Sequence, residues 1–452
     1  MPPDVAPAGA GGAARSPRTA QVALLLGGLV ALTVIGSSAV AVALPTMAVE
    51  LQLSTAGAAW VLAAFSLTFS VCTALFGRLA DLVGLRLPMR VGAVLFAAGS
   101  ILAAGAGSFP VLLAGRLLQG TGAGAVTVLA VAIISARFAR QARARALGSL
   151  TAVVTIVSAS GPLIGGALTE LVSWRAVLAL PAVALVLAEP VARLAPAGRG
   201  AGGRLDLTGA ALVAAAVASL ALLLQAGSVG GGAAGVAALV ALCVVAFALA
   251  GRHIVRRPDG FLPRAIVTNG RLMLAAAAGF AFIAAYIAGL FAIPTILTEQ
   301  GWSPLQIGLG LLPAALYGAV VSRLTGGLIA RPPRHRLVAA LGVASSAGLL
   351  IAAAGAGRPQ VLIGGFALVV AGFGGGQVPL VDAVPGLVPP ELRGIALGTF
   401  NLVFFTGGAV GASIVGGLAG TLGLPGALAS VALLTAVGPG AAAWVLSRSG
   451  PV

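Results

Sequence analysis

The chain has 452 residues, of which 59% are hydrophobic and only 8% are charged, and its mean hydropathy is +1.11. A soluble domain carries about 25% charged residues, so this composition excludes a water-exposed globular surface and indicates a protein that lies within a membrane. The net charge of +16 comes from 26 arginines without any lysine. Because these arginines stand in short segments between apolar runs, they are typical of membrane-protein loops, and a nucleic-acid-binding protein is excluded.

The chain begins with a polar segment and continues as a series of apolar stretches. Residues 1–18 are rich in Pro, Ala and Gly, so we expect a disordered cytoplasmic tail. Fourteen stretches close to the ~20 residues that cross a bilayer follow. They lie near 21–44, 57–77, 88–107, 110–136, 146–169, 175–194, 208–227, 230–251, 272–296, 305–329, 337–356, 360–381, 395–420 and 425–446.

The arginines predict the orientation of these spans. If the N-terminus is cytoplasmic, 22 of the 26 arginines fall in cytoplasmic segments, as the bias of membrane proteins towards positively charged inner loops requires. Arg175 and Arg358 are left in outer loops, whereas Arg116 and Arg323 fall within spans. We therefore expect a multi-pass protein of the inner (plasma) membrane with both termini in the cytoplasm.

An internal repeat at an offset of 250 residues predicts two halves. Ala146-Leu-Gly-Ser149 matches Ala396-Leu-Gly-Thr399, and the glycines of Gly122-x-Gly124 and Gly161 recur at the same offset. Since the offset spans eight helices, an even number, both halves have one orientation in the membrane. This predicts an all-α polytopic membrane protein with a six-helix bundle at 19–197, a linker and two inserted helices at 198–271, and a second six-helix bundle at 272–448.

Four short motifs resemble a known family. They are Leu44-Pro45-Thr46, the loop Gly77-Arg-Leu-Ala-Asp81-Leu-Val-Gly84-Leu-Arg86, the fourth-span run Arg116-Leu-Leu-Gln119-Gly120, and the fifth-span run Gly161-Pro162-Leu-Ile-Gly165-Gly166. Together with Asp206-Leu-Thr-Gly209 before span 7, they resemble the fourteen-span drug:proton antiporters of the major facilitator superfamily. The amino-acid composition, which lacks lysine, is typical of actinobacterial proteins. The resemblance covers the chain from Val40 to Leu446 and implies the major facilitator fold.

The resemblance implies a gate, a coupling site and a substrate cavity. The gate would comprise Gly77, Asp81, Gly84 and Arg86, with an Asp81–Arg137 ion pair that holds one state and breaks on switching. Coupling and export would involve Arg116, Gln119, Gly161 and Pro162. For the cavity we predict the polar and aromatic residues Ser37, Thr127, Tyr286, Gln377, Asn401 and Phe404, each of which could equally pack between helices.

The sequence departs from the family where protons would bind. The family commonly has an acid in span 1, and this chain has Gly36 there, followed by Ser37 and Ser38. Arg116 lies about 9 Å inside span 4, so an Arg116 that faces the cavity would make it electropositive and favour neutral or anionic molecules. The alternative is a side chain that reaches the surface. Ser37 and Ser38 are its expected hydrogen-bond partners.

The two-bundle architecture predicts a transporter that works by alternating access, and the resemblance implies a secondary active exporter of small amphipathic or antibiotic-like molecules with the proton as coupling ion. The alternative is an uncoupled facilitator or uptake carrier of a neutral or anionic solute, which the missing acid in span 1 favours. A membrane-embedded enzyme is disfavoured because no span contains a His and no pair of Asp residues shares a depth. We expect a monomer with no cofactor and no metal.

Overall fold

A computed structural model of the chain describes residues 17–196, 198, 200, 202, 205–226, 232–328 and 334–447. Within these residues the chain is helical and forms no strand. The helices of the first half are α1 (Pro17–Glu50), α2 (Thr55–Val83), α3 (Arg86–Ala104), α4 (Phe109–Arg137), α5 (Arg140–Leu171) and α6, which consists of Trp174–Ala179, a 3-10 turn at Leu180–Val183 and Ala184–Leu194. The inserted pair is α7 (Leu207–Leu224) and α8 (Gly232–Arg256). The second half contains α9 (Gly270–Glu299), α10 (Pro304–Leu328), α11 (Arg334–Ala354), α12 (Pro359–Ala383), α13 (393–423) and α14 (424–447).

The helices confirm the predicted spans. In the described part of the chain, 13 helices are long and apolar enough to cross a membrane. The last of these is a run of 55 residues, Arg393–Ser447, interrupted at Gly423, where φ is +68°. Because a positive φ breaks the helical path, this run is two spans, α13 and α14. The predicted tail at 1–18 lies outside the described residues except for its last two positions, at which α1 has already begun.

The helices of the two halves pack in equivalent ways. In the first half α1 packs on α5 and α4 packs on both α2 and α3, and in the second half α9 packs on α13 and α12 packs on both α10 and α11. The repeated glycines lie at equivalent crossings: a Cβ on Gly161 would lie 2.0 Å from the Ser38 hydroxyl, and one on Gly411 would lie 2.2 Å from the Ala284 carbonyl. Small residues are therefore required where these helices touch.

The bundle has two chemically distinct ends. We call the end at which α1 begins and α2 ends the Arg-rich face; its arginines include Arg78, Arg86, Arg90, Arg137 and Arg193. The other end, which we call the opposite face, carries Glu50, Glu170 and Glu299.

The inserted pair α7–α8 is fastened at the Arg-rich face by Asp206. Its carboxylate accepts hydrogen bonds from the backbone N–H groups of Gly209 and Phe261, both at 2.9 Å, and lies 2.9 Å from Nε2 of His253. The carboxylate thus caps the start of α7, as acidic N-caps do, and also holds the end of α8. Arg78 at the end of α2 donates to the Gly260 carbonyl at 3.1 Å, so the first bundle is tied to the same loop.

Candidate functional site

Arg116 is fully buried inside the first bundle. Its Nε donates to the Val61 carbonyl of α2 and its Nη1 to the Gly36 carbonyl of α1, both at 2.9 Å. Nη1 also donates to Oε1 of Gln119 one turn along α4, and the guanidinium carbon lies 4.4 Å from the centroid of the Phe65 ring. Three helices therefore meet at one cation.

The hydrogen-bond network extends to α3, the fourth helix that it joins. Gln119, which is also fully buried, donates from Nε2 to the Ser100 hydroxyl of α3 at 2.8 Å. Nη2 of Arg116 has no hydrogen-bond partner among the described residues. Because buried guanidinium groups are normally saturated with acceptors, this nitrogen marks an incomplete polar site at bilayer depth.

The structure corrects two expectations about Arg116. Its side chain has 0% exposure, so it neither reaches the surface nor presents its charge to the space between the bundles. Its partner on α1 is the Gly36 carbonyl, whereas the hydroxyls of Ser37 and Ser38 donate back to the Val34 carbonyl of their own helix. Sequence reasoning missed this because a glycine offers no side-chain signal, although its carbonyl was the available acceptor.

The predicted gate residues lie together at the Arg-rich face. The loop between α2 and α3 turns tightly at Gly84, whose φ of +86° is a conformation that favours glycine. A Cβ on Gly84 would lie 2.5 Å from the Gly198 carbonyl, so the linker to α7 packs directly on this turn. A Cβ on Gly77 would lie 3.6 Å from a methyl group of Val128 in α4, which is an ordinary contact distance.

The arginines of the gate bind backbone carbonyls at the end of α6. Arg86 donates from Nε to the Ala195 carbonyl at 3.0 Å, and Arg137 donates from Nη1 to the Leu194 carbonyl at 2.8 Å. These cations lie where the helix dipole is negative. Asp81 is exposed and makes no ion pair with Arg137 in this conformation, so their pairing stays a prediction for another state.

Gly161 and Pro162 lie at a junction of three helices. Gly161 abuts Ser38 of α1, and the Pro162 carbonyl lies 2.6 Å from where a Cβ of Gly308 in α10 would be. Pro162 stands inside α5 and has no N–H to donate to the preceding turn. The fifth-span motif therefore brings the two bundles into close contact.

The bundles are held together at the opposite face. Gly166 of α5 packs against Pro304 at the start of α10. The carboxylate of Glu170 accepts a hydrogen bond at 2.8 Å from the backbone N–H of Leu305, and thereby caps α10 across the boundary between the bundles. Side chains of both bundles form one apolar cluster, to which the first bundle contributes core residues from its half near the opposite face.

Towards the Arg-rich face the two bundles no longer share one continuous apolar cluster, although α2 and α13 still touch at Val71, Ala74 and Leu402. There the first bundle has an apolar cluster of its own, from Val22 and Leu26 in α1 to Ala192 in α6, and Phe405 is the one second-bundle residue packed against it among those described. The space between the bundles is therefore closed at the opposite face and open at the Arg-rich face.

The predicted cavity residues have different environments. Ser37, Thr127, Tyr286, Gln377 and Asn401 are half-buried, whereas Phe404 has no exposed surface. Thr127 lies 3.3 Å from the Thr33 hydroxyl of α1, and Tyr286 stacks on Phe373 with ring centroids 4.4 Å apart. Phe404 packs among Phe400, Phe405 and Phe373, so in this conformation it supports the wall and does not form the surface.

Sequence reasoning missed the aromatic contact between the bundles. Phe405 of α13 lies edge-to-face on Phe69 of α2, with ring centroids 4.6 Å apart. Phe404 and Phe405 are adjacent in sequence, so only the rotation of α13 decides which ring faces the first bundle. Aromatic rings thus line the boundary from Phe69 to Tyr286.

Two like-oriented helical bundles, membrane-crossing helices and a space open at one end define a polytopic membrane transporter. The sequence model described as Major Facilitator Superfamily matches residues 26–412. The chain belongs to this superfamily, and its fold is the predicted one.

Several curated relatives are exporters or resistance proteins. The chain is 33% identical over 432 residues to the cephamycin export protein CmcT of Amycolatopsis lactamdurans, covering 88% of this chain and 85% of that protein. It is 32% identical to the puromycin resistance protein pur8 of Streptomyces alboniger, covering 85% of this chain and 78% of that one. A solved POT family transporter in complex with a thioalcohol-conjugated peptide aligns with a TM-score of 0.70 at 13% identity, over 94% of this chain and 95% of that chain, which shows the shared fold.

Proposed function

We propose that this transporter exports small, uncharged amphipathic molecules of antibiotic-like size from the cytoplasm across the plasma membrane, in exchange for protons. The opening of the inter-bundle space at the Arg-rich face is the observation that carries the proposal. Because positively charged loops stay in the cytoplasm, the Arg-rich face is assigned to the cytoplasm together with both termini. The conformation is then inward-open, in which an exporter binds its substrate.

The charges of the chain support an uncharged substrate. None of the described acidic residues lies in the middle of a span, so the inter-bundle space offers no carboxylate to a cation. Arg116 is shielded by Phe65 and by its own carbonyl partners, so it offers no direct ion pair to an anion. The half-buried Tyr286 and the neighbouring phenylalanines supply apolar and aromatic surface.

Proton exchange cannot use a carboxylate in the middle of α1, because the chain has none there. The family position is occupied by Gly36, whose carbonyl binds Arg116 and cannot carry a proton at neutral pH. Glu189 is held by Arg90 and Arg193 at 2.7 Å each, which stabilises its charged form. We therefore assign proton exchange to Asp81 and Asp382, which are exposed near the Arg-rich ends of α2 and α12.

The test is drug transport in inverted vesicles from a host that lacks its own drug exporters. We expect accumulation of a neutral, lipophilic antibiotic that requires a proton gradient and collapses with an uncoupler. Asp81→Asn combined with Asp382→Asn should abolish the gradient-driven transport, and Asp259→Asn, an acid in the loop after α8, is the matched control. Equal transport with and without the gradient would favour the uncoupled facilitator, and absence of transport would refute export.

A further inference from the structure

The two seams between the bundles are unequal. One seam is formed by α2 and α13, the other by α5 and α10. The first is closed far towards the Arg-rich face, because Ser70 lies 3.3 Å from Thr406, and Val71 and Ala74 pack with Leu402. The inserted helix α7 covers the same place, since Ala210 and Val213 belong to that apolar cluster together with Phe261.

No helix of the described part of the chain covers the α5–α10 seam, which opens progressively. The contact of Pro162 and Gly166 with α10 fixes the side of α5 that faces its neighbour. Positions three or four residues apart share this side, and they become more exposed towards the Arg-rich face: Ala159 is buried, Thr155 is half-buried, and Ala152 and Gly148 are exposed.

The facing side of α10 shows the same gradient. Gly308 is buried against Pro162, Ala315 and Ala319 are half-buried, and Gly326 is exposed. The position of a Cβ at Gly326, and likewise at Gly148, has no atom within 4 Å. Since these residues face the partner helix, their exposure measures a gap between α5 and α10.

The gap lies at a depth that lipid reaches. The 32 residues of α5 span about 48 Å, which exceeds the ~30 Å hydrocarbon core, and Ala152 lies about 18 Å along the helix from Arg140. Its walls are small and uncharged from Ala152 to Ala319, and the exposed Arg323, three residues from Gly326, lies at its Arg-rich end. Leu316, Val320 and Leu324 of α10 are exposed beside it. An amphipathic molecule dissolved in the leaflet at the Arg-rich face could therefore pass sideways into the inter-bundle space.

We propose that the gap between α5 and α10 is a lateral portal through which uncharged lipophilic substrates reach the inter-bundle space from the bilayer, and that α7 closes the other seam. The chemical class of the substrate that passes through this portal rests on the proposed export function. The portal itself follows from the helix positions and can be tested without a substrate.

The first experiment measures which solvent fills the gap. A nitroxide is attached to Ala152→Cys, or to the control Val244→Cys on α8, in a chain whose Cys72 and Cys243 are replaced by alanine. Val244 lies at the same distance from the Arg-rich end of its helix and is 62% exposed. We expect relaxation by oxygen, which dissolves in lipid, to exceed relaxation by a water-soluble nickel chelate at both positions. Relaxation mainly by the nickel chelate at Ala152 would overturn the portal, because the gap would then be an aqueous channel.

The second experiment obstructs the gap. Gly148→Trp with Gly326→Trp places two indoles in open space, and Gly251→Trp on α8, which also has no atom within 4 Å of the Cβ position, is the matched control. We expect the double variant to lose export of Nile red, a neutral dye that dissolves in lipid, while the control exports like the unmodified protein. Unchanged Nile red export by the double variant would overturn the portal. Export of no compound by the unmodified protein would count against the proposed function alone, and the nitroxide result would still decide the portal.

Discussion

Replacing Arg116 by alanine should destabilise the first bundle. The guanidinium joins α1, α2 and α4 through the carbonyls of Gly36 and Val61 and the amide of Gln119. Truncation leaves the buried Gln119 oxygen without its donor, which costs about 1–3 kcal/mol. It also leaves a cavity, and buried large-to-alanine changes cost about 2–5 kcal/mol.

Two effects oppose this loss. The Gly36 and Val61 carbonyls keep their helical hydrogen bonds, and removing a buried cation relieves its desolvation cost. We therefore expect a net loss on the order of 2–4 kcal/mol, equivalent to a fall in Tm of roughly 2–4 °C for a chain of this length. The Tm of the Arg116→Lys variant should also fall, because a single ammonium group cannot bind acceptors on α1 and α2 together as the planar guanidinium does.

The assay is thermal unfolding of the detergent-solubilised protein, alongside transport in vesicles. Arg358→Ala, which removes an exposed arginine at the opposite face, is the control and should change stability by less than about 0.5 kcal/mol. A double-mutant cycle of Arg116→Ala with Gln119→Ala should show coupling, because the two side chains are in contact. If Arg116→Ala melts and transports like the unmodified protein, the network contributes nothing and the reasoning is wrong.

Three further predictions follow from the Arg-rich face. Asp81→Asn should abolish drug efflux without loss of membrane expression, because the gate loses its carboxylate; normal efflux in cells would contradict the gating role. Gly84→Ala should lower Tm, because alanine at this positive φ costs about 1–2 kcal/mol of stability and its Cβ would also clash with the linker. An unchanged Tm would contradict the close turn. Burial raises the pKa of Asp206, but the hydrogen bonds from Phe261, Gly209 and His253 outweigh it and leave the pKa below its ordinary value. The carboxylate therefore stabilises the fold above the ordinary Asp pKa of about 3.9, and this contribution is lost as pH falls through the lowered value. Asp206→Asn should lower Tm at pH 7 and flatten its decrease in acid, as followed by scanning melts from pH 7 to pH 3, and a parallel shift at every pH would refute this assignment.

The sequence by itself determined that the protein lies in a membrane, how many times it crosses the bilayer, and that its two halves are repeats. Composition excludes a water-exposed surface, and the length of each apolar run is set by bilayer thickness, so both are local properties of the chain. The turn at Gly84 was also predictable, because only glycine adopts its backbone conformation without strain.

Only the tertiary structure decided which groups meet. The partner of Arg116 is a backbone carbonyl at Gly36, 80 positions away, and every residue has such a carbonyl. His253 binds Asp206 across the inserted pair, although no sequence motif links the two residues. Whether Phe404 or Phe405 faces the first bundle depends on the rotation of α13. The inequality of the two seams depends on where α7 lies relative to both bundles. These are relations between helices, and helical periodicity fixes the face of a residue but not the neighbour that the face meets.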